Sequence, residues 1–149
     1  MQLTDFYVEE NEALGTFMYQ FQFIEEIIVD NITINNNDIT QNVNIQQGVF
    51  YLNTYEGGNV SVSNLNVLNS DLRSKRAIEF WLSSGTGSMT IENVYANNVT
   101  LDTDATVIKT QSLKNFSMNN STFVNVNPRD SSDTSPKLLE LTAINLYNQ

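Results

Sequence analysis

An asparagine-centred frame recurs along this chain and constrains its fold more than any other feature. With h for an apolar residue, the frame is h-x-Asn-h-x-h-x-Asn-x-x-h. It reads Val29, Asn31, Ile32, Ile34, Asn36, Ile39 in one copy and Val62, Asn64, Leu65, Val67, Asn69, Leu72 in the next. A third copy has Ile91, Asn93, Val94, Ala96, Asn98, Leu101, and a fourth Leu113, Asn115, Phe116, Met118, Asn120, Phe123. A fifth, Leu141, Ala143, Ile144, Leu146, Asn148, lacks the first Asn. The leading positions are 33, 29, 22 and 28 residues apart. Asn occurs 22 times in 149 residues, so composition supplies some matches; it does not supply the apolar positions that accompany them.

The parity of the frame carries structural information. The apolar residue two before the Asn shares a strand face with it, whereas those at one and three after it have the opposite parity. The chain must therefore bend at the Asn if both segments are to aim inward. Asn suits such a corner because it tolerates the left-handed region and hydrogen-bonds locally. Gly15, Gly48 and Ala77 each lie 16 residues before an Asn of the frame and open further β-like runs, 16–19, 49–52 and 78–82. No window shows the i, i+3, i+4, i+7 pattern of an amphipathic helix. Strand, corner, strand at a period of 22–33 residues predicts an all-β parallel solenoid of about five coils. Asn31, Asn64, Asn93 and Asn115 would then stack as a ladder. Residues 1–14 are a cap or the tail of a preceding coil. Residues 1–149 form one segment, uncapped at one or both ends and expected to belong to a longer chain.

The corner Asn with its flanking apolar pairs resembles the right-handed parallel β-helix of the pectin-lyase-like superfamily, over roughly residues 15–148. That resemblance implies a right-handed coil and an Asn ladder. It also raises polysaccharide chemistry. The lyases of the family resemble a carboxylate cluster holding calcium beside an Arg or Lys base. The nearest residues here, Asp102 and Asp104 near Lys109, fall short of the oxygen ligands that calcium usually collects. The hydrolases carry paired aspartates and a Gly-His-Gly segment, and this chain has no His and no Asp-Asp pair. Glu79 and Glu92 are read as outward solubilising residues. With neither Cys nor His, thiolate and imidazole chemistry is excluded. No catalytic residue, metal site or cofactor is expected in this segment.

Charge narrows the partners. Residues 1–72 hold ten acids and no base, while 73–149 hold seven of each, giving a net charge of −10. Such a surface repels nucleic acid and anionic lipid. Arg73, Lys75 and Arg76 read as a solvated loop, and so does the run 130–133. No stretch approaches the ~20 apolar residues of a membrane span. Six Asn-x-Ser/Thr sequons, at Asn31, Asn59, Asn98, Asn115, Asn119 and Asn120, point to an extracellular or cell-surface protein. Asn59 and Asn119 are the expected glycan carriers, since Asn31 and Asn115 would be at inward corners. Carrying the 16-residue offset across copies places Phe17, Tyr19, Phe50, Leu52 and Trp81 on one outer face as a candidate interface. The expected function is a structural or adhesion scaffold, assembling end to end on copies of itself or on neighbouring protein segments. The alternative is a glycan-binding or polysaccharide-active β-helix protein whose site lies outside the segment.

Overall fold

The computed structural model of the chain describes residues 1–9, 17–21, 25–36, 49–54, 58–72, 76–82, 87–102, 105–111, 114–129 and 137–142. Among these described residues ten strands follow one another: β1 (Gln2–Glu9), β2 (Phe17–Phe21), β3 (Glu26–Asn35), β4 (Phe50–Thr54), β5 (Asn59–Leu72), β6 (Arg76–Leu82), β7 (Ser88–Leu101), β8 (Thr106–Gln111), β9 (Asn115–Pro128) and β10 (Lys137–Thr142). Odd strands form one sheet in the order β1-β3-β5-β7-β9, and even strands form a second in the order β10-β8-β6-β4-β2. Every pairing is parallel. A chain that alternates between two parallel sheets and advances one strand at each return is a parallel β-solenoid.

The corners explain how long strands wrap a core. Asp5, Asn31, Asn64, Asn93 and Asn120 have φ between 50° and 57°, as do Asn36, Asn69, Asn98 and Asn125 between 47° and 55°. Each left-handed residue shifts the inward parity by one. In β5 the buried residues are Val60, Val62, Leu65, Val67, Ser70 and Leu72, with steps of two, three, two, three and two. The frame thus marks two corners five residues apart, with a buried position directly after each.

Fully buried apolar side chains fill three layers, from Ile27 to Leu52, from Val60 to Leu82 and from Met89 to Ile108. Leu3 and Phe6 of β1 pack on one end of this core; Phe116, Met118, Phe123, Val126 and Leu139 pack on the other and are only partly buried. Phe50 lies edge-on between Phe6 and Phe80, with centroids 5.1 and 6.1 Å away.

The solenoid has about three turns, not five, running from Asn31 through Asn64 and Asn93 to Asn120. The fourth copy is displaced by five residues: Val94 pairs with Ser121 and Ala96 with Phe123, which sets Asn120, not Asn115, beside Asn93. The second Asn of the frame imitates the first, and Ser121 occupies a position where the earlier copies are apolar. Of the fifth copy only Leu141 is described, and it pairs with Thr110 in the second sheet; 143–149 lie outside the described residues. The register also shows an early rung. Thr4 pairs with Asp30 and Phe6 with Ile32, setting Asp5 beside Asn31.

Candidate functional site

Among the described residues, side-chain hydrogen bonds line up along the corner columns. Asn31 donates its amide to Asp5 Oδ1 at 2.7 Å, and Asn35 to Glu9 Oε1 at 2.9 Å. Ser63 and Asn64 both donate to Asp30 Oδ1, at 2.7 and 2.8 Å. Asn93 donates to Asn64 Oδ1 at 3.2 Å, and Asn120 to Asn93 Oδ1 at 3.4 Å. Along the second corner Asn69 donates to Asn35 and Asn98 to Asn69, at 3.1 and 3.0 Å. Each of these bonds donates toward the earlier turn. The carboxylates at the base explain that uniform sense: an ionised carboxylate only accepts, so the amide above it must donate downward and present its oxygen upward. Ser63 first, then Asn64 and the Asn31 backbone amide, stabilise the charged form of Asp30 and hold its carboxyl below the ordinary range.

Asn31, Asn64 and Asn93 are neighbours at the first corner, with exposed side chains that do not point inward; Asn93 bonds Asn64, whereas Asn64 bonds Asp30 in place of Asn31. A left-handed residue turns its side chain out of the corner and along the stacking axis. Asn115 sits instead at the start of β9, where its amide donates to Ser88 Oγ at 3.2 Å. Asn59 and Asn119 are exposed on β5 and β9.

The proposed outer aromatic stripe does not assemble. Phe17 pairs with Phe50 and Tyr19 with Leu52, as the offset requires, although the β2 side chains lie outside the described residues. Phe50 pairs with Ile78 and Leu52 with Phe80, one residue short of the expected Glu79 and Trp81. The connector 83–87 is one residue longer than 55–58, so the offset does not carry over between copies. Phe50 and Leu52 are consequently core residues, 1% and 0% exposed, and Trp81 alone of these three faces solvent, at 39%. Glu79 is not a solubilising residue: it is 3% exposed, with Arg76 at 3.4 Å and an amide hydrogen bond from Gln111 at 2.6 Å.

Some of the other charges pair across turns. Asp102 is 3.8 Å from Arg129, which also contacts Asp71, so the three tie together the ends of β5, β7 and β9. Lys109 binds Glu140 at 3.2 Å. Burial opposes ionisation of Glu140, yet the hydrogen bond and charge of Lys109, with Lys137, outweigh it and hold the carboxyl below its ordinary range. Among the described residues no three His, Cys, Asp or Glu side chains gather as metal ligands, and no helix is long and apolar enough to cross a membrane. Asp104, Arg73, Lys75 and 130–133 lie outside the described residues.

Beside the ladder lies a shallow groove of about 300 Å³, lined by Asn64, Asn66, Asn93, Val94, Tyr95, Asn120 and Thr122. Tyr95 is 39% exposed there. Parity could have placed it, since Asn66, Tyr95 and Thr122 are neighbours on the outer face between the two corners. Comparisons with protein-family models, with curated proteins and with solved structures find no match to this chain.

Proposed function

We propose that the chain is a scaffold or adhesion segment of an extracellular protein, with no catalysis of its own, serving as a stack of turns on which further solenoid turns dock or continue. One observation carries this reading. The β9 layer holds Phe116, Met118, Phe123 and Val126 in core positions but leaves them partly exposed along an outermost strand. Apolar side chains beside unpaired strand N–H and C=O groups favour a further layer. A right-handed coil is part of the proposal, since about 98% of parallel crossovers take that hand. So is kinship with the pectin-lyase-like superfamily, supported by the corner ladders. The exposed sequons at Asn59 and Asn119 support an extracellular location, and glycopeptide mapping of native material is expected to find them occupied. Intact mass and electron microscopy of native material test the scaffold reading. A longer chain, or an elongated assembly with a partner, is expected, and native material found only as a compact 16.8 kDa monomer with no bound partner would contradict it.

A second reading, glycan binding, is favoured by the groove. Uncharged amides and hydroxyls around an exposed Tyr95 ring suit sugar hydroxyls and the apolar face of a pyranose. Calorimetric titration with neutral oligosaccharides, repeated on Tyr95→Ala, tests it; heats that are absent or unchanged by the substitution would contradict it.

A further inference from the structure

The two outermost strands of the first sheet differ in the way that decides whether an edge recruits another strand. β1 carries Asp5 and Glu9, and each accepts an amide hydrogen bond from the turn above it. β9 (NFSMNNSTFVNVNP) has no charged residue in 14, and its Phe116, Met118, Phe123 and Val126 are only partly buried. Charges on an edge strand discourage pairing, and a long uncharged edge invites it. The ladder adds a second constraint. Asn120 uses its amide nitrogen on Asn93, which leaves its Oδ1 directed away from the stack. The next rung must therefore supply a proton.

We propose that the side of β9 turned away from β7, which no other strand among the described residues pairs, docks one further parallel strand from a partner protein, a strand bearing Asn or a hydroxyl residue at the corner above Asn120. This rests on the scaffold reading and gives it a direction. A second copy of this chain does not fit as that partner. Stacked head to tail, it would bring the Asp5 carboxylate against Asn120 Oδ1, with no proton between two acceptors. It would also desolvate the carboxylate. Asn in place of Asp5 would supply the missing donor while keeping an oxygen for the Asn31 amide.

The test uses the full chain and a labelled synthetic peptide with the β7 sequence, SMTIENVYANNVTL, whose corner residues Asn93 and Asn98 are donors in the native stack. Fluorescence anisotropy is expected to show saturable binding, and a peptide with both corners changed to Asp should bind at least about tenfold more weakly, a ratio worth about 1.4 kcal/mol. In sedimentation, the chain carrying Asp5→Asn should self-associate at concentrations where the parent stays monomeric, with circular dichroism confirming that both are folded. Equal binding of the two peptides, binding of neither, or head-to-tail assembly of the parent as readily as of the variant would overturn the proposal. A short monomeric native chain would remove the scaffold reading and leave the peptide result standing.

Discussion

Asn64 donates its side-chain amide to Asp30 at 2.8 Å and not to Asn31, the corner residue directly beneath it. The acceptor is charged and cannot return a proton, so the amide has one orientation. Its oxygen faces Asn93, whose oxygen in turn faces Asn120. An acid next to the corner thereby sets the sense of the ladder through two further turns.

That arrangement gives the fold an acid-sensitive component. Asp30 is held below its ordinary value of 3.8, and Glu140 below 4.5. A carboxyl whose folded-state pKa is depressed stabilises the fold above its unfolded-state value, and the contribution is lost as pH falls through the folded one. Urea midpoints should therefore be level at neutral pH, begin to fall near 4.5 and continue falling below 3.8. Asp30→Asn should flatten the lower part of that decline. A decline of the same steepness in the variant would show that Asp30 does not contribute.

The register of the fourth turn predicts an asymmetry between two asparagines. Asn93→Ala removes one ladder donor and one acceptor and leaves Ala at φ 57°, for a loss of about 2 kcal/mol. Asn93→Gly should recover part of this, because Gly accepts the backbone but not the ladder. Asn115→Ala lies outside the corners and should cost about 0.5 kcal/mol or less. Chemical denaturation of the three variants checks the order.

Much of this was legible in the sequence, and the failures have physical reasons. The left-handed corners at Asn31, Asn64 and Asn93 follow from parity alone, since apolar residues on both sides of a bend must aim inward. The frame puts Asn115 in the ladder because the two corners of each turn bear the same residue type five apart, and Ser121 breaks the apolar pattern that would separate them. Asp5 falls outside an Asn-centred frame because its corner is an acid, although Leu3, Asp5, Phe6 and Val8 follow the same spacing. The aromatic face failed on a connector longer by one residue, which no pattern within the strands records.

Gly87 marks a close approach between turns. A Cβ there would collide with the Gly58 carbonyl oxygen and with Leu82 Cδ2. The first contact is backbone and cannot rotate away. Gly87→Ala should destabilise by about 1–3 kcal/mol, the range for overpacking a filled site, and thermal unfolding should show a lowered midpoint.

Thr110 is fully buried, and its hydroxyl has no hydrogen-bond partner. It pairs with Phe80 in the second sheet, a position that an apolar side chain would fill without a desolvated oxygen. Thr110→Val should therefore raise stability by about 1 kcal/mol, read as a higher urea midpoint at unchanged slope.

The register that places Asn120 above Asn93 underlies both the ladder and its direction, and paired cysteines test it directly. The chain contains no cysteine, so crosslinks report only on those introduced. Glu92 and Asn119 are exposed partners on β7 and β9, and strand neighbours about 4.8 Å apart fall within disulfide reach. Under mild oxidation, Glu92→Cys with Asn119→Cys should crosslink readily and Glu92→Cys with Lys114→Cys should not. The reverse pattern would place Asn115 in the ladder and contradict the account.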